Sequence, residues 1–342
     1  MSSRSLKQAS ICVAGCGHWG KNLVRNFHNL GRLSGLFDAD PARLAEIGKA
    51  YPDARQYDSF DRALDDPSIN AVAIAAPAEL HARLAVRALK AGKDVFVEKP
   101  LALTPEDGQL MVDTAQDNGR QLMVGHLLIY HPAIIAIRKL IAEGSLGRLE
   151  YLYSNRLSMG KIRREENALW SFAPHDISVL LLLTGQVPIQ TTAVGGTYLQ
   201  PNIADVTVSN LLFENGTRAH IFVSWLHPHK EQRLVVIGSK KMVVFEDSRP
   251  TGKLQIYDKD IAWRNGQFEV TQPKSTPVPY DADEPLQLEC REFIECVETG
   301  RRSRTPGEDG VDVLRVLHAC QRSLELNGAP VQIMPVMAMA AR

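Results

Sequence analysis

The chain has 342 residues, 44% hydrophobic and 23% charged, the usage of a globular protein long enough for a large core and two domains. Lysine plus arginine and aspartate plus glutamate both number 39, so no overall field draws the protein to nucleic acid or membrane, and any anion site must be a local cluster. Five cysteines without a CxxC pair fit a reducing compartment, MSSRSLKQAS lacks an apolar signal core, and VLLLL is too short to span a bilayer; a soluble, cytoplasmic protein is expected.

From about residue 9 to 125, short apolar runs alternate with helical patterns: ICVAG, LSGLF, AVAIAA, DVFVE and QLMVG. That alternation predicts a parallel sheet wrapped by helices. The helix between the last two runs is expected to be capped by Thr104, with Pro105 at its first position and Glu106 and Asp107 in its first turn, and to stop at Gly119. Beyond Gly125, PAIIAIRKLIAEG reads as one amphipathic helix. RLEYLYSNRLS, DVTVSNLLFENGTRAHIFVSWL and EQRLVVIGSKKMVVFE then read as antiparallel strands, with Asn215-Gly216 as a hairpin turn. Two helical patterns, near Pro285 to Thr299 and Glu308 to Leu326, close the chain, and the tail MPVMAMAAR reads as frayed. The expected fold class is α/β: a dinucleotide-binding domain of the Rossmann type over residues 1–125, then a domain of α+β type over 126–342 with an open, mostly antiparallel sheet.

The first strand runs into GCGHWG, Gly15 to Gly20, and a helix follows. Glycine triplets also make plain turns, but between a strand and a helix this one has the dinucleotide arrangement. Gly15 makes the tight turn, Gly17 lets the backbone approach a pyrophosphate, and Gly20 lets helix and strand pack closely. Asp38 ends the second strand about 18 residues after Gly20, where a carboxylate accepts hydrogen bonds from the adenosine ribose and repels a ribose phosphate. NAD is therefore expected over NADP. His18 and Trp19 in the turn, Ala76 after the third run, and His81 are counted with the cofactor side.

VFVEKPLA raises a further question, because a buried strand there delivers Glu98 and Lys99 at its tip. Strands end in charged residues for ordinary reasons, and Pro100 stops the ladder. In a doubly wound sheet, however, ligands sit beyond the carboxyl ends of the strands, so both side chains are candidates to face a nicotinamide and a substrate.

GCGHWG, Asp38, AAPAELHARLAVRALKAGKDVFVEKPLA and YHPAIIAIRKLIAEGSLG together resemble the glucose-fructose oxidoreductase, inositol dehydrogenase and MocA family over nearly the whole chain. That resemblance implies NAD(P)-dependent oxidation or reduction of a sugar-like alcohol, and an open sheet that supports a homo-oligomer. It assigns Lys99 to the reacting hydroxyl, where an ammonium stabilises a forming alkoxide. It assigns His175, in WSFAPHDISVLLLL near the start of a helix, to the hydroxyl proton. The chain departs from the family at Ser171, where many members have an aspartate, and at Ala78, where an asparagine is usual. Asp176 reads first as a structural cap.

Between the strand ending near Ser158 and that helix lies MGKIRREENALW. Lys161, Arg163 and Arg164 there are either a solvated cluster balanced by Glu165 and Glu166 or a clamp for a phosphorylated substrate. Tyr130, Asn155, Arg156 and Trp170 are further substrate candidates. His227, His229 and His81 do not suggest a metal site, because HPH sets two rings around a proline with no acidic partner. Within the family, EKPLA with KIRREENALWSFAPHD resembles nucleotide-sugar 3-dehydrogenases more than inositol enzymes. This implies oxidation of the 3-hydroxyl of UDP-N-acetylglucosamine. The alternatives are the corresponding uronate, with Arg156 as the extra cation, an inositol or free sugar, and a non-enzymatic NAD-sensing module.

Overall fold

The computed structural model describes residues 8–160, 162–259, 261–271 and 273–333. Along the chain the elements are β1 (Ile11–Ala14), α1 (Gly20–Asn29), β2 (Leu33–Phe37), α2 (Pro41–Ala50), β3 (Arg55–Tyr57), α3 (Phe60–Asp65), β4 (Ala71–Ile74), α4 (His81–Lys90), β5 (Asp94–Glu98), α5 (Pro105–Asp117) and β6 (Leu122–Gly125). They continue with α6 (Pro132–Ala142), β7 (Leu149–Leu157), α7 (Ala168–Thr184), β8 (Gln190–Gly196), β9 (Val206–Leu212), β10 (Arg218–Ser224), β11 (Glu231–Gly238), β12 (Lys241–Glu246) and β13 (Leu254–Asp258). Last come β14 (Ile261–Arg264), β15 (Gln267–Val270), β16 (Ser275–Pro277), α8 (Pro285–Thr299), α9 (Gly307–Glu325) and β17 (Val331–Gln332). The tail read as frayed lies, from residue 334 on, outside the described residues.

Two compact units result: residues 8–130 with Asp283–Leu314, and His131–Ala282 with residues 315–333. The expected division at residue 125 therefore misses a return of the chain to the first unit. The cause is visible in α8, whose Phe293 packs against Phe27 of α1 at 6.3 Å and Phe96 of β5 at 5.8 Å between ring centroids. An amphipathic pattern tells that a helix buries one face but not which part of the chain receives it.

In the first unit a six-stranded parallel sheet has the order β3-β2-β1-β4-β5-β6. Its strand order reverses at β1 and β4, and every residue of β1, β4, β5 and β6 is buried. This is the Rossmann arrangement, with helices covering both faces. The Thr104 cap is present, its side chain accepting from the Asp107 N–H at 3.1 Å. The three-residue strand β3 carries no apolar run and escapes sequence reading.

In the second unit a nine-stranded sheet has the order β16-β13-β12-β11-β7-β10-β9-β8-β17. It is antiparallel except at its centre, where β10 runs parallel to β7, which is the mostly antiparallel sheet expected. Alternating patterns report which face is buried, not strand direction. Asn215-Gly216 does turn the β9–β10 hairpin, with Gly216 at φ +85° and the Phe213 N–H donating to Thr217 O at 3.0 Å. Helix α7 packs on β7, β9 and β10. Among the described residues no helix is long and apolar enough to cross a membrane.

Helix α1 meets the turn before it at the limit of contact: a Cβ on Gly20 would stand 1.8 Å from the carbonyl oxygen of Gly15. Gly20→Ala is expected to cost ~1–3 kcal/mol through overpacking. Urea unfolding checks this, since the midpoint should fall with little change in slope.

Candidate active site

The glycine turn is built as its spacing requires. Gly15 has φ +96°, and a Cβ there would lie 2.7 Å from the Ala75 carbonyl, so both conformation and space demand glycine. Gly17 differs: the position of its Cβ has no atom within 4 Å. Bare backbone thus faces open space at the N-terminal end of α1, a cradle that fits the pyrophosphate of NAD. His18 is exposed beside it. Asp38, 7% exposed, accepts from the Cys16 N–H at 2.7 Å and the Asp40 N–H at 2.9 Å, and pairs with Arg43 at 3.1 Å. Its carboxylate therefore braces the glycine turn itself, at the strand end where a ribose hydroxyl would be read.

Ala76 is half-buried after β4, while His81 is 1% exposed. The His81 ring nitrogens lie 2.8 Å from the carbonyl oxygens of Pro100 and Ala76. Burial pushes its pKa down, against the pull of the two carbonyls. The structure makes His81 a brace between two strand-end loops, not an exposed cofactor contact.

At the tip of β5, Glu98 is 8% exposed and Lys99 half-buried. The Trp19 indole N–H donates to the Glu98 carboxylate, and the Lys99 N–H donates to its other oxygen at 3.3 Å. Glu98 lies opposite Gly125 in the β5–β6 ladder, and a Cβ on Gly125 would come 3.0 Å from that carboxylate. Burial raises the pKa of Glu98 to about 7 against the pull of the indole and the Lys99 charge. Two groups near this tip carried no sequence signal: His126 just past β6, and Glu289 in α8, 1% and 0% exposed.

Tyr130 belongs to the core of the first unit, contrary to the substrate role expected of it. It is fully buried, its hydroxyl 2.9 Å from Thr305 Oγ1, and the Arg304 guanidinium sits 5.6 Å from the centre of its ring.

In the second unit, α7 starts at Ala168 behind an Asn167 cap, so half-buried His175 lies two turns inside it. Pro174 is an interior proline of this helix. The neighbouring Asp176 is 2% exposed and accepts from Ser154 Oγ at 2.6 Å and from Arg156 Nε and an Arg156 terminal nitrogen at 2.9 and 3.1 Å. Asp176 is thus neither cap nor orienter of His175 but the anchor of α7 on β7. The same geometry commits Arg156 to Asp176. Asn155 points to the opposite face of the sheet, where it donates to Glu231 at 2.8 Å.

Trp170 donates its N–H to Gln321 at 3.3 Å and meets His318 edge-on. Arg163 pairs with Glu166 at 3.1 Å, and its carbonyl accepts from the Gln200 side chain. Arg164 is exposed. Lys161 lies outside the described residues. Among the described residues no group of three or more His, Cys, Asp or Glu side chains is placed to hold a metal ion.

A strand, a bare glycine turn, a helix and a bracing acid, with a lysine at a neighbouring strand tip, define a dinucleotide-dependent oxidoreductase. The sequence profile described as the oxidoreductase family, NAD-binding Rossmann fold, matches residues 9–126, and that of the GFO/IDH/MocA C-terminal domain matches 134–244; the chain belongs to this family. It is 30% identical to UDP-N-acetylglucosamine 3-dehydrogenase of Acidithiobacillus ferrooxidans over 69% of this chain and 71% of that protein. It is 29% identical to inositol 2-dehydrogenase of Rhizobium meliloti over 86% of this chain and 89% of that one. The crystal structure of the A. ferrooxidans enzyme, GnnA, superposes with a TM-score of 0.83 at 25% identity, covering 93% of this chain and 98% of that one.

Removing the Asp176 carboxylate leaves the Arg156 charge, only 14% exposed, without its partner. Asp176→Ala is expected to destabilise by ~3–5 kcal/mol, whereas the double replacement Asp176→Leu with Arg156→Met recovers much of that loss. Chemical unfolding of the three proteins decides between this anchor and a marginal ion pair, for which both changes would be near neutral.

Proposed function

We propose that this enzyme oxidises the 3-hydroxyl of UDP-N-acetylglucosamine to the 3-keto nucleotide sugar. The observation that carries the reading is the 30% identity, over two thirds of the chain, with a 3-dehydrogenase of that sugar. NAD, when bound, takes up the hydride from the carbinol carbon. The chain's own residues supply the rest: amides of Gly15 to Gly20 and the Asp38 carboxylate to hold the dinucleotide, Lys99 to stabilise the alkoxide, and His175 to accept the hydroxyl proton.

Of the expected phosphate clamp, Arg163 is shared with Glu166, which leaves exposed Arg164 as the stronger candidate for a diphosphate oxygen. The uronate alternative loses ground, because Arg156, the cation it needs, is held by Asp176. An inositol substrate is the second reading, favoured by the longer span of similarity to inositol 2-dehydrogenase.

Following absorbance of reduced cofactor with NAD and UDP-N-acetylglucosamine, N-acetylglucosamine or inositol separates these readings. Turnover of the nucleotide sugar is expected, with KM raised ~10-fold in Arg164→Ala by loss of a charge-assisted contact. Equal activity on free sugars, indifferent to that change, would overturn the assignment. Lys99→Ala and His175→Ala are each expected to lower kcat by ~10²–10⁴ while the unfolding transition stays in place. The sheet face opposite α7, with Tyr153 and His220 stacked at 5.0 Å, is also proposed to pair with a second copy, and light scattering should report more than a monomer.

A further inference from the structure

Trp19 stands where its ring is of no use to the helix it precedes. It occupies the N-cap of α1, a place served best by a small residue with a side-chain oxygen, and its side chain caps none of the amides there. The indole is 39% exposed, and its N–H donates to the carboxylate of Glu98. Glu98 is itself held: its second oxygen accepts from the Lys99 N–H at 3.3 Å, and opposite it Gly125 leaves room where a Cβ would come 3.0 Å from the carboxylate. A carboxyl group enclosed in this way costs stability that an apolar side chain of similar size would not. We infer that Glu98 is a positioning residue for the nicotinamide half of the cofactor and acts through Trp19, holding the indole as a fixed wall beside the course of that half without itself touching the dinucleotide.

Strand order gives the wall its place. In the sheet β2, β1, β4 and β5 stand side by side. Asp38 follows β2, the glycine turn follows β1, Ala76 lies past β4, and Glu98 and Lys99 form the tip of β5. A dinucleotide with its adenosine ribose at Asp38 and its pyrophosphate at the glycine turn therefore leads its nicotinamide half past the end of β4 toward β5. The bond from Trp19 to Glu98 runs the same way. It starts in the turn after β1 and ends at the tip of β5, two strand spacings or about 10 Å away, and so crosses the switch point over the end of β4.

An untied indole at this place turns about its side-chain torsions, and a ligand lying against it must first arrest that motion. Tied to a carboxylate that is held in turn, the ring has given up this freedom before the ligand arrives. The link thus acts on affinity, and only for a ligand that extends as far as the ring. The glycine turn does not depend on it, because Gly15 and Gly20 close the turn against each other and Asp38 braces it through the Cys16 amide at 2.7 Å. The inference rests on NAD as the cofactor and not on the sugar proposed above, and its test contains no sugar.

Calorimetric titration with NADH, and with ADP-ribose, which lacks only the nicotinamide ring, provides that test. Glu98→Leu and Trp19→Phe are each expected to raise Kd for NADH by ~10-fold, the scale of ordering one large side chain on binding, and to leave Kd for ADP-ribose within ~2-fold of the wild type. The double variant should bind NADH no more weakly than Trp19→Phe alone, since Glu98 has nothing to hold once the indole N–H is gone. Glu98→Gln, whose amide oxygen still accepts from the indole, should stay close to the wild type for both ligands. Unchanged NADH affinity in Glu98→Leu, a ~100-fold loss in the double variant, or an equal loss for NADH and ADP-ribose, as a collapse of the glycine turn would give, each overturns the proposal. Should Glu98→Leu fail to fold, Trp19→Phe decides alone: its affinity for NADH must fall while that for ADP-ribose holds.

Discussion

Everything at the ligand edge of the first unit depends on one short approach, that of Gly20 to the carbonyl of Gly15. Because neither residue has a side chain, α1 begins directly against the end of β1, and its first amides meet a turn with no Cβ at Gly17 to block them. Asp38 then braces the turn from β2 through the Cys16 amide. The same approach sets Trp19 at the head of α1, from which its indole reaches Glu98 at the tip of β5. Cofactor cradle and strand tip are consequences of a single packing contact.

The parts of this arrangement that involve backbone were legible in the amino-acid sequence. Glycine spacing, strand ends and the acid after the second strand constrain φ, ψ and close approach directly, and the structure reproduces them. What failed to show was the fate of side chains whose partners lie far along the chain. Tyr130 looked available until Thr305 and Arg304 returned to cover it, and Arg156 looked like a spare cation until Asp176 claimed it. Asn155 and Arg156, neighbours in sequence, were grouped together although a strand must send them to opposite faces. His175 was read near the start of its helix, whereas α7 begins at Ala168 and carries Pro174 in its interior.

Burial and charge are balanced differently in the two units. The second unit encloses a complete ion pair, with every oxygen of Asp176 engaged. The first encloses Glu289, neither of whose carboxylate oxygens has a hydrogen-bond partner, a costly arrangement that an ordinary core would avoid.

The joint of Ser154, Arg156 and Asp176 has one more implication. It ties the end of β7 to the middle of α7, so the segment between them, which carries Arg163 and Arg164, hangs from two points already fixed without it. A loop suspended in this way can change length and composition while the histidine-bearing helix stays in register. Exchange of this one stretch should therefore leave the packing of α7 on β7 undisturbed.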